Sequence, residues 1–418
     1  MAIAGGPDGS ANRPYRTAVF PFLASTGARF YLMRAVSKIY IQMRELRAWS
    51  IVVWRLVRYL GYRMGVGARP RFLDIYPELI VFFDRILRWP ARLRVEGAEN
   101  CPRTAPAVFA GNHFAKDDPF MMYRAVHRVC EGAYPVRYMM RDDFFIGLAG
   151  GIMKSRLIDV DELLEMLGAL PISRGRVQLS QIKPFIAILR EPAAFIMYPG
   201  RSRSRTGVFI EYRDGIDEPG GVTFLVAQAQ RNRPDLRVAI VPMARTLDLA
   251  TMKSVVVFGG PVYLPHDADR AAQRELDFHL IGLMGDLVEI NVTHAAAGII
   301  YLHCLHARGG LLEFDALDAA VAHALERMPR RRIGPAARND RRAQLEATLD
   351  HFAAAQLVAR NGGAVTLFPG AVLASPPHDT TYRALNPVKY AVNQVLHLPD
   401  VIDAIEDAAR ACVVSASE

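Results

Sequence analysis

The sequence predicts an α/β protein in which a mixed sheet is flanked by helices, with a helical region before it and a mainly helical region after it. From about residue 86, short apolar runs alternate with stretches of helical periodicity, the pattern of a sheet with helices packed against it. Residues 29–66 place apolar residues and arginines at helical spacings, and beyond residue 265 apolar residues recur three and four positions apart. The predicted organisation is a flexible tail over 1–28, an amphipathic helical region over 29–85, an α/β domain over 86–264 and a mainly helical domain over 265–418.

The strands of the α/β domain are predicted from apolar runs such as APAVFAGNH and RVAIVPMAR. These runs are 105–113, 135–141, 193–200, 237–245 and 253–264. Helical patterns lie between them at 118–130, 142–153, 161–168, 176–190 and 221–232. Because functional residues of such sheets collect in the loops at strand ends, we expect the chemistry there.

The composition favours anionic partners. The chain has 51 lysines and arginines against 42 aspartates and glutamates, a formal net charge of +9. Such an excess suits phospholipid surfaces, nucleotide-bearing carriers or nucleic acid. Nucleic acid is the weaker hypothesis, because no basic sheet with interleaved aromatic residues is visible.

The cysteines and the N-terminus indicate a cytoplasmic protein. No two of the cysteines form a CxxC pair, so neither a zinc site nor a disulfide framework is predicted; they are Cys101, Cys130, Cys304 and Cys412. The opening stretch MAIAGGPDGSANRPYRT has no basic segment followed by an apolar run, and so is not a secretory signal. No stretch is predicted to span a membrane.

The helical region before the sheet has two interpretations. It is rich in arginine and contains Trp49 and Trp54, a composition that suits a helix lying in a membrane interface. It also suits a helix packed on its own domain with solvated arginines. Arg55 and Arg58, inside the helix, exclude a helix that spans the membrane but not one that docks on the membrane surface.

The segment GNHFAKDDPF places His113 just past a predicted strand and Asp118 five residues later. Asp118-Pro119 is a helix start signal, with Asp at the N-cap and Pro at the first helical position. The loop can also fold back so that Asp118 orients His113 as a general base. With no GxSxG motif nearby, the pair would activate an alcohol that attacks an already reactive acyl group.

Histidines near residue 300 invite a metal hypothesis. His303 and His306 flank Cys304, but no carboxylate or further histidine stands at ligand spacing. A packed helix is the favoured interpretation, and the same holds for His294 and His397. No metal or bound cofactor is expected.

The chain resembles the glycerolipid acyltransferases. Their NHxxxxD block is matched from Asn112 to Asp118, and all four blocks occur in the family's order. The second block is matched by Gly168, Ile172 and Arg174, the third by Tyr198, Pro199, Ser202, Arg203 and Ser204, and the fourth by Val241-Pro242. The resemblance spans roughly 86–400 and makes 86–264 the expected acyltransferase domain.

The sequence RSRSRTG (201–207) is similar to the RSRTG of the glycerol-3-phosphate and dihydroxyacetone-phosphate branch. INVTHAAAG and the region containing Arg383 also resemble that branch's C-terminal extension. The resemblance implies a membrane-associated enzyme of phospholipid biosynthesis on the cytoplasmic face. It would move a fatty acyl group from acyl-CoA or acyl-carrier protein to a phosphate-bearing alcohol.

The arginines of the second and third blocks suit a phosphate independently of the resemblance. Arginines interleaved with hydroxyl residues on a turn offer forked cations and hydrogen-bond donors. The candidate contacts are Arg174, Ser202, Arg203, Ser204 and Arg205, with Lys116 as a further one. An exposed basic loop is the alternative, as is a solvent-facing Lys116.

One departure from the family's third block bears on activity. Gly200 replaces its glutamate and Arg201 its glycine. In the family that glutamate is thought to help hold the acceptor. Its loss leaves two rival hypotheses: an enzyme with another acceptor, such as a lysophospholipid, or a catalytically weak membrane-binding homologue.

Overall fold

The computed structural model of the chain describes most of residues 26–415. The described residues are 26–70, 73, 75, 77–79, 81, 92–104, 106–130, 133–141, 158–172, 179–200, 202–212, 218–306, 310–328, 333–377 and 380–415. The predicted tail therefore lies outside them except for 26–28, which open the first helix.

An eight-stranded mixed sheet forms the centre of the described part of the chain. Its strands are β1 (Leu93–Glu96), β2 (Ala107–Gly111), β3 (Val136–Arg141), β4 (Ala169–Ile172), β5 (Ala194–Met197), β6 (Ala239–Asp248), β7 (Lys253–Phe258) and β8 (Val262–Tyr263). The order is β1-β7-β6-β2-β5-β3-β4, with β8 on β6. The run from β6 to β4 is parallel, whereas β7 and β8 pair antiparallel with β6 and β1 lies parallel to β7.

Helices connect the parallel strands, as crossover connections require. They are α2 (Asp118–Cys130), α3 (Val160–Met166), α4 (Leu179–Ile188) and α5 (Val222–Gln230), preceded by α1 (Thr26–Arg63). The carboxyl ends of β2, β5 and β6 are neighbours in the sheet. This adjacency brings the loops that carry the first and third sequence blocks beside the fourth block, which lies within β6 itself.

The part after β8 is mainly helical, as predicted. Its helices are α6 (Arg270–Asp286), α7 (Val292–His306), α8 (Phe314–Arg327), α9 (Pro335–Asn339), α10 (Arg341–Ala354), α11 (Pro369–Leu373), α12 (Tyr382–Leu385), α13 (Pro387–Val395) and α14 (Pro399–Ser415). Helix α7 is apolar on every side and lies at the centre of the others. Gly298 allows α14 to approach, since a Cβ there would lie 2.6 Å from Cγ2 of Ile405.

Side-chain alternation along β2 divides the core of the sheet into two faces. Ala107 and Phe109 pack with α2 on one face, and Val108 and Ala110 pack on the other. The second face continues without a break into α7 and α13, where Tyr390 is fully buried. The helical part after residue 265 therefore shares one core with the sheet.

Helix α1 packs by its C-terminal end against α3. Tyr59 donates a hydrogen bond to the Asp159 carbonyl at 3.0 Å, and Tyr62 and Arg63 both bond the Glu162 carboxylate. Further towards its N-terminus α1 exposes large apolar side chains: Ile39, Tyr40, Met43, Leu46, Trp49, Val53, Trp54 and Val57. In the described part of the chain, no helix combines the length and apolar character that crossing a membrane requires.

The predicted fold class, a mixed α/β sheet with helical extensions, is confirmed, with corrections to individual elements. Strands β1 and β4 and a separate antiparallel sheet were not predicted. That sheet comprises β9 (Leu311–Glu313), β10 (Val358–Asn361) and β11 (Ala364–Leu367). The helix predicted over 142–153 lies outside the described residues, and the proposed domain boundaries stay predictions.

Candidate active site

His113 and Asp118 form a hydrogen-bonded dyad in the loop between β2 and α2. Nδ1 of His113 lies 2.8 Å from Oδ2 of Asp118. The Asp118 side chain is fully buried, whereas 22% of the His113 side chain is exposed. The dyad thus has its carboxylate inside the protein and its imidazole at the surface of the site.

Backbone amides explain why the loop folds back. The same Oδ2 of Asp118 accepts hydrogen bonds from the N–H groups of Phe114 and Ala115, each at 2.7 Å. The helix begins at Asp118, as the sequence indicates. The predicted N-cap role is corrected, because these bonds lead to amides that precede the helix rather than to its first turn.

Asp118 is held in its ionised form. Burial acts to raise its pKa, but the Arg245 guanidinium, the His113 imidazole and the loop amides together lower the pKa below the ordinary value. An ionised carboxylate only accepts hydrogen bonds, so Nδ1 of His113 carries the proton that the two share. In the neutral imidazole Nε2 then keeps its lone pair and can accept a proton from a bound hydroxyl.

Arg245 is the buried counter-charge of the dyad, and the sequence interpretation missed it. Its side chain is 2% exposed, and Nη1 donates to Oδ1 of Asp118 at 2.6 Å. The guanidinium also donates to both carboxylate oxygens of Asp117 at 2.9 and 3.1 Å and to Oγ of Ser254. One arginine on β6 thereby fixes two consecutive carboxylates of the β2–α2 loop.

The backbone of Arg245 is joined to the same loop through Asn112. The Asn112 amide donates to the Arg245 carbonyl at 2.9 Å and accepts from the Arg245 N–H at 2.8 Å. Because Asn112 is buried, this reciprocal pair fixes where the loop leaves β2. The asparagine of the first block positions the dyad without touching it.

Tyr198, at the end of β5, covers one face of the His113 ring. The two rings stack with centroids 4.5 Å apart and planes 24° from parallel. Burial, reinforced by the neighbouring Asp118 charge, raises the pKa of Tyr198 well above its ordinary value, so the phenol stays protonated. Stacking restricts the imidazole to the plane in which it meets Asp118.

The 202–207 loop, which we call the arginine loop, follows β5 and contacts the dyad directly. The N–H of Ser204 donates to the His113 carbonyl at 2.7 Å. Oγ of Ser204 accepts from the Gly207 N–H at 3.0 Å. Ser204 is buried, so its hydroxyl oxygen organises the loop.

A carboxylate just beyond the arginine loop, that of Glu211, also organises the loop. Glu211 accepts from the Arg205 N–H at 2.7 Å and from the backbone and hydroxyl of Thr206 at 3.4 and 3.3 Å. Ser202 and Glu211 form an isolated antiparallel bridge. At Gly200 an added Cβ would meet ordinary contacts, Cγ2 of Ile210 at 3.4 Å and the Ser202 carbonyl at 3.6 Å, so the backbone there tolerates a side chain.

The structure brings only part of the predicted phosphate set together. Arg203 and Arg205 are half-buried on the loop beside the dyad, and Ser202 bonds the Arg203 carbonyl at 3.3 Å. Lys116 is exposed, so its predicted phosphate contact stays a prediction. Arg174 lies outside the described residues, and its predicted role also stays a prediction.

The histidines near residue 300 lie in a packed helix. His303 and Cys304 are buried in α7, while His306 is exposed. His294 is buried and hydrogen-bonded to Gln394 at 3.1 Å, and burial lowers its pKa. Within the described ranges, no group of three His, Cys, Asp or Glu side chains could hold a metal ion.

Residues 92–245 contain the dyad, the arginine loop and Arg245, and they correspond to one family model. The segment matches the Acyltransferase family. The match covers less than half of the chain and supports the predicted resemblance at the level of the family. The glycerol-3-phosphate branch stays a prediction.

Comparison of structures gives a weaker likeness. The crystal structure of the 1-acyl-sn-glycerophosphate (LPA) acyltransferase PlsC from Thermotoga maritima matches with a TM-score of 0.33 and 12% sequence identity. The match covers 59% of this chain and 96% of that one. A TM-score this low carries no argument about substrate. No curated protein matches the sequence.

Proposed function

We propose that this chain is an O-acyltransferase that esterifies a phosphate-bearing alcohol, with glycerol-3-phosphate or a close relative as acceptor. The donor is a fatty acyl thioester of coenzyme A or acyl-carrier protein, and the product enters phospholipid synthesis. The observation that carries the proposal is the His113–Asp118 dyad joined through Ser204 to a loop of half-buried arginines. A proton acceptor and a loop of half-buried arginines therefore lie side by side.

In the proposed reaction the acceptor hydroxyl gives its proton to Nε2 of His113 while its oxygen attacks the thioester carbonyl carbon. The carbon–sulfur bond then breaks, and the imidazolium returns the proton to the leaving thiolate. Asp118 stabilises the imidazolium while the charge exists. Because the thioester is already reactive, this chemistry needs no metal and no bound cofactor.

The acceptor phosphate is proposed to bind the arginine loop. Burial, followed by repulsion from Arg205, lowers the pKa of Arg203, because its surroundings stabilise the charge poorly. A phosphate would supply the missing negative charge and accept bidentate hydrogen bonds. A lysophospholipid carries the same phosphate and is the alternative acceptor.

Steady-state kinetics with purified protein, labelled acyl thioester and a panel of acceptors tests the function. We expect transfer to glycerol-3-phosphate, dihydroxyacetone phosphate or lysophosphatidate. Arg203→Ala should raise the acceptor KM about ten- to a hundred-fold, the equivalent of losing a charge-assisted contact, with a much smaller effect on the donor KM. Arg203→Lys should restore the acceptor KM only in part, because lysine keeps the charge but lacks the planar guanidinium fork.

Arg233→Ala is the matched control, since Arg233 is an exposed arginine paired with Asp235 on the surface. It changes the net charge equally and should leave both KM values unchanged. If Arg203→Ala impairs only the donor, the loop binds the carrier's phosphates and the acceptor assignment is wrong. If no acceptor is used, the proposal of an enzyme is wrong and the hypothesis of a catalytically weak homologue takes its place.

Helix α1 is proposed to hold the enzyme on the cytoplasmic face of a membrane. Its exposed side includes Trp49 at 54% and Trp54 at 63% exposure, next to the exposed Arg44 and Arg47. Aromatic side chains with neighbouring cations are typical of helices that lie in the headgroup region. The net charge of +9 favours anionic lipid.

Sedimentation with vesicles tests the membrane proposal. The protein should bind anionic vesicles, and part of it should be released as salt rises, because the charges are then screened over about 8–10 Å or less. Replacing Trp49 and Trp54 together with serine should remove the salt-resistant fraction. Phe368→Ser, at an exposed phenylalanine after the sheet, is the control and should bind normally. Equal binding to neutral and anionic vesicles would refute the electrostatic contribution.

A further inference from the structure

The arginine loop is held on its far side by the C-terminal helices, more than a hundred residues away in sequence. The Tyr382 N–H donates to the Arg205 carbonyl at 2.9 Å, and the Asn393 side chain donates to the Thr206 carbonyl at 2.8 Å. Gly207 has a φ of 97°, and a Cβ there would lie 2.4 Å from the Tyr390 carbonyl oxygen. The backbones of the loop and of 382–393 are therefore in direct contact.

The same helices reach the dyad. The Tyr390 hydroxyl donates to the Phe114 carbonyl at 3.2 Å, and Phe114 also donates its N–H to Asp118. Tyr390 is fully buried between these contacts. Residues 382–393, which we call the C-terminal wall, thus contact both the loop that carries the dyad and the arginine loop.

This wall carries a charge that the dyad does not use. Arg383 follows Tyr382, the residue that is bonded to the arginine loop, and it is half-buried. Neither Arg203 nor Arg383 has a carboxylate in an ion pair among the described residues. Asp118, whose charge acts on Arg203, is already bonded to His113, Arg245 and two amides. Repulsion from Arg383 contributes to the lowered pKa of Arg203, after burial and Arg205.

Like charges that are held together in partly buried positions destabilise the folded protein unless an anion joins them. A phosphate dianion offers enough oxygens to accept hydrogen bonds from two guanidinium groups at once. We infer that Arg383 is a substrate-binding residue, which binds the acceptor phosphate together with Arg203. The acceptor site is then completed by the C-terminal helices, outside the segment 92–245 that matches the family. This inference rests on the proposed function.

The kinetic test compares Arg383→Met with Arg203→Ala and a control. Methionine keeps an aliphatic stem at position 383 and removes the guanidinium. Arg383→Met should raise the acceptor KM about ten- to a hundred-fold and change the donor KM less than about three-fold. Arg383→Lys should recover part of the loss. Arg410→Ala, at an exposed arginine of α14 paired with Asp407, should have no effect.

A melting experiment gives a second measurement that does not depend on turnover. Inorganic phosphate, compared with chloride at equal ionic strength, should raise the Tm of the wild-type protein, because an anion that binds only the folded state stabilises it. Arg383→Met and Arg203→Ala should each reduce that rise, whereas Arg410→Ala should keep it. Melting without phosphate reports whether the variants are folded.

The outcomes separate the inference from the function on which it rests. If Arg203→Ala raises the acceptor KM and Arg383→Met does not, the acyltransferase proposal stands and the role of Arg383 is wrong. If no phosphate-bearing acceptor is used, the proposed function fails. The phosphate-dependent Tm then decides the inference. If phosphate raises the Tm of the wild type and this rise is lost in Arg383→Met, a shared anion site is supported. If the rise is unchanged in Arg383→Met, or is absent in the wild type, the inference is overturned.

Discussion

His113→Ala is expected to lower the rate of acyl transfer about 10²–10⁴-fold, the range in which a positioned general base contributes. The imidazole is the only part of the dyad that reaches the surface of the site, since 22% of the His113 side chain is exposed and none of Asp118 is. Removing the ring leaves the loop bonds intact, because they join Asp118 to the amides of Phe114 and Ala115. The loss should therefore appear in kcat.

The measurement is single-turnover acyl transfer together with the free energy of unfolding. Apart from the contribution of the lost His113–Asp118 hydrogen bond, the free energy of unfolding should change by less than about 1 kcal/mol. His306→Ala is the matched control, because His306 is an exposed histidine on α7. Near-normal turnover of His113→Ala would contradict the proposed mechanism, and a large loss of stability would mean that the activity assay reports unfolding.

Arg245→Met is expected to destabilise the protein by about 3–5 kcal/mol, the cost of removing one partner from a buried charged pair. Asp118 would keep its hydrogen bonds to two amides and to His113, but it would lose its buried counter-charge. Asp117 would lose the guanidinium that bonds both of its carboxylate oxygens. Activity should fall as well, because the carboxylate that orients His113 is no longer fixed. Denaturant unfolding measures the stability, at several pH values.

The pH dependence of that loss has a definite sign. In the wild type the folded pKa of Asp118 is below its unfolded value, so its contribution to stability is present above about pH 4 and is lost as pH falls. Without Arg245, burial moves the folded pKa upward. The difference in stability between wild type and variant should therefore be smallest in acid and should grow as pH rises. A pH-independent difference would mean that lost packing, not charge, is the cause.

A double-variant cycle isolates the pair. Asp118→Asn removes the carboxylate that Arg245 balances, so Arg245→Met should cost less in that background than in the wild type. Ser254 and Asp117 keep the remaining contacts of Arg245 in Asp118→Asn. Additive losses would show that Arg245 and Asp118 do not interact energetically.

The dyad and the arginine loop were predictable from sequence because they lie in continuous motifs. NHFAKD and RSRSRT each place their functional groups within a few residues, and the joint resemblance of the blocks to the family favoured the catalytic interpretation over a helix cap. The α/β pattern was visible for the same reason: runs such as AVFAG are long enough to show the character of a buried strand. Strand β5 (AFIM) is an unbroken apolar run, whereas the equally short β1 (LRVE) carries two charged residues and β4 (ALPI) contains a proline, so these two do not show a strand pattern.

Arg245 was not found because its carboxylate partners, Asp117 and Asp118, are more than a hundred residues away in sequence. A signal did exist: Arg245 is the one charged residue after the first position of the run RVAIVPMAR, in a predicted strand that is otherwise apolar. A charge in such a strand requires a buried counter-charge, since arginine is almost never fully buried unpaired. Glu211 is similar, because the amides it accepts from lie in a turn that the sequence does not define.

The contact between Phe114 and Tyr390 has a consequence for biosynthesis. During translation, residue 114 leaves the ribosome long before residue 390, and the two are joined only when both have been made. Contacts of such long range close late and slow folding. A nascent chain that has already made the whole segment 92–245 still lacks the wall that fixes its arginine loop. Acyl transfer should therefore begin only after the C-terminal helices have been synthesised and docked, which keeps incomplete chains from consuming thioester.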